Sequence, residues 1–170
     1  MQAVTNPDRP FDTSSITWRI KDRSDFTIVE LVGELTESSN LDLLRGRLKG
    51  RVVLHLGAVR RVNSTGVREW VNFMRDLTRS TDVTLTHCST AIVTQLNMIY
   101  NFRGSAKVRS FMAPYVCTRC DREENKLIDV KSAFPGNDFT QMPKFTCAVC
   151  TAPMEFDEVV EQYLSFLREP

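Results

Sequence analysis

Two Cys-x-x-Cys pairs, Cys117/Cys120 and Cys147/Cys150, stand 26 residues apart, and they restrict the folded chain more tightly than any other feature. Four thiols at this spacing fit one tetrahedral metal site, and the link is long enough for a hairpin to bring two knuckles together. Thiolates are soft ligands, so zinc is the expected ion at Cys117, Cys120, Cys147 and Cys150; iron–sulfur clusters use the same ligands, and disulfides are a third use of such pairs. Four protein ligands leave no open coordination position, which makes the zinc structural. Its binding free energy, on the order of 10 kcal/mol for such sites, would hold a small segment folded. Turns around a metal favour glycine after each pair because the backbone enters positive φ there. Asp121 and Thr151 occupy those places here.

The 170 residues allow one ordinary domain and a smaller one, and a hydrophobic share of 42% with 25% charged residues is that of a globular chain. Lys and Arg number 22 against 21 Asp and Glu, for a net charge of +1, so no global attraction draws the chain to nucleic acid or anionic lipid. Only the junction with Arg103, Lys107, Arg109, Arg119 and Arg122 is locally basic. No stretch approaches the roughly 20 apolar residues of a membrane span, and none at the start reads as an apolar leader. Together with paired cysteines this suits a reducing compartment, so a cytoplasmic protein is expected. The phosphate-loop, dinucleotide-turn and His-Glu-x-x-His motifs are missing. His55, His87 and Cys88 lie in apolar runs and read as core or edge residues. No enzyme is expected.

Residues 1–14 lack periodicity and read as a mobile arm. Ile16–Ile20 and Phe26–Leu35 predict a hairpin, and Ser38-Ser39-Asn40 offers caps for a helix from Leu41 that stops at Gly50. Val52–Leu56 reads as a buried strand, and Ser64-Thr65-Gly66 opens a helix with Val67, Trp70, Val71, Met74 and Leu77 on one face. A strand over 83–88, a helix capped by Ser89 or Thr90, and a strand over 108–111 complete a ββαβαβαβ order. That order predicts an α/β domain over 15–113, with a mostly parallel sheet and helical cover. Pro114 marks the boundary to a zinc-ribbon-like segment, 114–170. Phe156, Val159, Val160, Tyr163, Leu164 and Leu167 predict an amphipathic C-terminal helix there.

Gly33-Glu34-Leu35, the strand Val52–Leu56 and the turn Asn63-Ser64-Thr65-Gly66, in this order before the helix, resemble the STAS domains of bacterial anti-sigma factor antagonists. The resemblance covers about residues 16–113. It implies a non-enzymatic signalling adaptor that binds a protein partner, an anti-sigma factor or a related ATPase-type kinase, through the surface around Ser64. Ser64 aligns with the serine that a partner kinase phosphorylates in that family, and Asn63 stands where the family usually has Asp. A phosphate there would lie at a helix N-terminus, whose N–H groups and dipole favour an anion, with Arg60, Arg61 and Arg68 nearby in sequence. Equally, Asn63 or Ser64 serves as a cap, with Gly66 permitting close packing. Two other functions stay open: nucleic-acid binding by a zinc ribbon through Arg109, Arg119 and Arg122, and an oligomeric scaffold.

Overall fold

A computed structural model describes residues 16–168; the expected arm, residues 1–14, lies outside them. Strands β1 (Thr17–Asp22) and β2 (Thr27–Leu35) form the antiparallel hairpin. Helix α1 (Leu41–Arg45) leads to β3 (Gly50–Val62), α2 (Ser64–Leu77) to β4 (Thr81–Thr86), and α3 (Thr90–Met98) to β5 (Lys107–Val108). The five strands lie in sequence order, with β2, β3, β4 and β5 mutually parallel. The sheet is therefore mixed but mostly parallel, in the order read from the sequence.

The local chemistry explains the boundaries. Helix α1 ends at Gly46 rather than Gly50, because glycine is a poor helix former; the chain then tightens into i→i+3 bonds from Arg47 and Leu48, and Leu48 stays buried. Strand β4 stops at Thr86 because His87 adopts φ 53°, in the left-handed region. Ser89 caps α3: its hydroxyl accepts from the Ile92 N–H at 3.3 Å and donates to the Val59 carbonyl at 2.6 Å. Trp70 is fully buried, with its indole N–H on the Phe102 carbonyl at 2.9 Å.

Strand β5 is not the end of the sheet. One residue later the chain re-enters extended structure as β6 (Ser110–Cys117), which runs unbroken through Pro114 and belongs to a second, antiparallel sheet. That sheet has the order β7-β6-β9-β8, with β7 (Glu123–Asp129), β8 (Phe145–Thr146) and β9 (Pro153–Phe156). A one-turn helix, α4 (Val130–Ala133), and a 3-10 turn (Pro135–Asn137) follow β7. The Arg109 N–H still bonds to Leu85 of β4, and Cys88 exchanges backbone bonds with Ser110 and Met112. One strand path thus serves both sheets.

The expected C-terminal helix is two single turns, α5 (Val160–Tyr163) and α6 (Ser165–Arg168), and Phe156 ends β9. The break at Leu164 is held by Asn97 of α3. Its amide donates to the Tyr163 carbonyl at 3.0 Å, while its Oδ1 accepts from the Phe166 N–H at 2.9 Å and the Ser165 hydroxyl at 2.7 Å. Once Asn97 supplies these partners, the backbone gains nothing by continuing the helix. Of the apolar stripe Leu164 is buried, Phe156, Val160, Tyr163 and Leu167 are half-buried and Val159 is exposed; Phe166, outside the stripe, is buried and meets Phe111 edge to face at 5.5 Å. Replacing Asn97 with Ala removes three hydrogen bonds and leaves the Phe166 N–H without its partner. We expect a loss of about 2 kcal/mol in urea unfolding, while Asn97→Asp, which keeps the acceptor, loses less.

Candidate metal centre and the turn before the second helix

Each cysteine pair occupies the turn of its own hairpin. Cys117 and Cys120 turn β6 into β7, and Cys147 and Cys150 turn β8 into β9. The pairing of β6 with β9, with Cys117 opposite Met154, sets the two turns side by side. The sequence suggested a single hairpin spanning the 26-residue link; instead two hairpins share a sheet.

The two turns repeat one design. Cys117 accepts at its carbonyl from the Asp121 N–H (3.1 Å) and donates its own N–H to the Arg122 carbonyl (3.0 Å). Cys147 does the same with Thr151 (3.0 Å) and Ala152 (2.9 Å). Asp121 and Thr151, the residues expected at positive φ, have φ 53° and 59°. The cost of that conformation for Asp and a β-branched Thr is accepted in both turns, and each places two N–H groups against the first sulfur of its pair. Those of Arg119 and Cys120 bring the Cys117 thiol down to about 6. Those of Cys150 and Val149 lower Cys147.

All four sulfurs lie within 4.8 Å of one another, with Sγ separations of 3.4 Å (Cys117–Cys150), 3.7 Å (Cys120–Cys150) and 3.8 Å (Cys120–Cys147). A disulfide requires about 2.05 Å, so these are free thiols. A tetrahedron with metal–sulfur bonds of about 2.3 Å has sulfur–sulfur edges of about 3.8 Å. The cluster fits that figure and could hold a metal ion. Cys117 and Cys147 are buried, Cys150 is half-buried and Cys120 is exposed, so the centre sits at the tip of the second sheet.

Without a cation, four thiolates this close would repel one another. The Arg122 N–H favours the Cys120 thiolate, yet the hydrogen bonds of Cys117, Cys150 and Cys147 and burial push that thiol up to about 12. Cys150 is likewise raised: the Ala152 N–H is outweighed by the shared hydrogen bond with Cys117, burial and that with Cys147. Binding must therefore displace the protons of Cys120 and Cys150. Titration with Zn²⁺ at pH 7 is expected to release at least two protons and affinity to rise with pH, more steeply below about 6, where Cys117 also holds its proton. Calorimetry in buffers of different ionisation enthalpy reads the proton count; pH-independent affinity would contradict the assignment.

At the other site, Asn63 rather than Ser64 caps α2. Its Oδ1 accepts from the Gly66 N–H at 2.7 Å, and its amide donates to Glu37 at 3.2 Å. Glu37's own backbone N–H, with the Asn63 amide second, holds that carboxyl below its usual range. The sequence reading missed Glu37, because a contact 26 residues away in a polar loop leaves no periodic signal. Ser64 is exposed at the first position of α2, Thr65 is half-buried, and Arg68 is exposed beside Glu69 at 3.8 Å. Gly66 is buried where a Cβ would stand 2.0 Å from the Leu35 carbonyl oxygen. Gly66→Ala must push α2 off the end of β2, and we expect a loss of about 3 kcal/mol in chemical unfolding.

Elsewhere the basic junction is partly neutralised: Arg109 lies 3.6 Å from Asp129 and Arg122 lies 2.8 Å from Glu124. Arg119 lines a shallow depression with Thr118, Cys150 and Thr151. Among the described residues no helix is long and apolar enough to cross a membrane. Comparison with protein-family models and with curated proteins finds no match.

Proposed function

We propose that the chain is a non-enzymatic, STAS-like signalling adaptor that docks a protein partner around Ser64, beside a structural zinc centre. The observation that carries this reading is the division of labour in the turn: Asn63 supplies the cap, Gly66 the close approach, and Ser64 remains exposed at the first residue of a 14-residue helix. A hydroxyl needed only for capping would point at the helix backbone. Ser64 is instead exposed, where a partner or a kinase would reach it without disturbing the core.

A phosphate on Ser64 would add about −1.5 to −2 charges at the positive end of the helix dipole. The fold would tolerate that charge, whereas a partner with an apolar or acidic surface would not. Glu37 already brings a carboxylate to Asn63, so a phosphate would add a second anion to this surface. Zinc is the ion assigned to Cys117, Cys120, Cys147 and Cys150, since four thiolates without an open position suit a soft, redox-silent cation. Its role is to fix the hairpin turns of the second sheet.

Pull-down from native lysate with the wild type, Ser64→Ala and Ser64→Glu tests the adaptor role. Wild type and Ser64→Ala are expected to retain the same anti-sigma factor or ATPase-type kinase, and Ser64→Glu to lose it by tenfold or more. If all three retain the same proteins, Ser64 lies outside the docking surface and the reading falls. Elemental analysis of protein purified without added metal is expected to give one zinc per chain.

A further inference from the structure

A net charge of +1 conceals a split. Residues 16–113 hold 15 Lys and Arg against 9 Asp and Glu, whereas residues 114–168 hold 6 against 9. The excess is densest outside the junction read from the sequence, in the turn from α1 into β3. There Arg45, Arg47, Lys49 and Arg51 alternate with Gly46, Leu48 and Gly50, and no acid intervenes. Leu48 is buried and anchors the turn, and the four cations stay exposed. Asp42 and Asp76 engage Arg45 at 3.7 and 3.4 Å, and Asp82 lies 3.9 Å from Arg51. Arg47 and Lys49 have no ion pair among the described residues. One turn before Arg47, Leu43 is 70% exposed on α1. The β1–β2 turn brings Lys21 and Arg23, also exposed, to the same edge of the sheet about 10 Å away, beside Asp22 and Asp25.

We infer that this edge is a peripheral docking surface for an anionic lipid membrane. Cations spaced along one turn meet lipid phosphates and carboxylates, and an exposed leucine beside them enters the acyl boundary, the pairing that interfacial segments use. A nucleic acid would use the cations but not the leucine. The edge also lacks what nucleic-acid readers need. No Phe, Tyr or Trp occurs between Phe26 and Trp70 to stack on bases, and the five-residue α1 is too short to lie in a groove. The acidic half leaves the approach open, because it continues from β5, at the far end of the strand order from β1 and β2. Ser64 lies at the opposite edge: β3 runs from Gly50 to Val62, 13 residues or about 40 Å, before the turn that holds it. A membrane on one edge therefore leaves the other free for a protein partner. Four basic residues supply reversible binding, with half-saturation at about 1 mM accessible lipid.

Flotation of the zinc-loaded full chain with lipid vesicles is the test. Mixed phosphatidylcholine and phosphatidylserine vesicles are expected to carry the wild type, pure phosphatidylcholine vesicles to leave it behind, and raised salt to release it. Arg47→Glu combined with Lys49→Glu should weaken binding by roughly tenfold or more. Leu43→Ser should weaken it severalfold without changing its salt dependence. Circular dichroism and bound metal stay unchanged in each variant. Equal flotation with both kinds of vesicle, or variants that float as the wild type does, would overturn the proposal. So would a DNA duplex that binds more tightly than the mixed vesicles and loses affinity in the same charge variant. Ser64→Glu should leave flotation intact, which separates this result from that of the adaptor reading.

Discussion

The path of the chain from Lys107 to Cys117 is the element on which both halves of the protein depend. Its first residues extend the parallel sheet beside β4, Arg109 and Ser110 hold the crossing, and its last residue belongs to the cluster of four cysteines that could hold a metal ion. Ser110 is buried; its hydroxyl accepts from the His87 N–H at 2.9 Å and shares a 2.8 Å hydrogen bond with Thr86. This polar pin sits where β4 ends in a left-handed residue, so the strand leaves one sheet for the other without leaving buried backbone unpaired. Phe111, one residue on, contacts Phe134, Tyr163 and Phe166. The aromatic core of the second sheet therefore begins at the seam itself.

That arrangement gives the candidate metal centre a bounded task. Tyr115, with its hydroxyl on the Pro143 carbonyl at 2.7 Å, and Phe145 and Phe156 around it form an apolar floor under the hairpins. The strands have packing of their own, whereas in the turns Cys117 and Cys147 are buried and Cys120 stays exposed. Asp121 and Thr151 hold positive φ without glycine's freedom, and the cluster of sulfurs above them is stable as thiolates only against a cation. The free energy of a bound ion would act chiefly on these turns.

What the sequence made legible was whatever repeats at a fixed interval or offers a local partner. Strand alternation over 16–20 and the helical stripe Trp70, Met74, Leu77 were readable because burial imposes period 2 or 3.6. The spacing of the cysteines points to their cluster, and the need for positive φ points to Asp121 and Thr151. The lost readings have one cause. The stripe Val159–Leu167 has helical spacing, yet Asn97, more than 60 residues earlier, supplies hydrogen bonds that divide it. Glu37 reaches Asn63 across 26 residues, and β6 ignores Pro114 because its neighbours, not its own sequence, pair it. Tertiary partners overrode local signals in each case.

The contact between Gly66 and Leu35 joins the turn before α2 to the sheet. With the helix backbone against the Leu35 carbonyl, the first residues of α2 cannot shift without moving the end of β2. The Asn63 N–H bonds to that same carbonyl at 3.1 Å. Leu35 is thus held from two sides by the residues flanking Ser64, and Val62 pairs with it in the sheet. A rigid seat makes charge the variable at Ser64: with the backbone pinned, a modification there changes what the surface attracts rather than where it lies. In the proposed adaptor role the conformational cost of signalling would fall on the partner, and the domain would remain folded in either state.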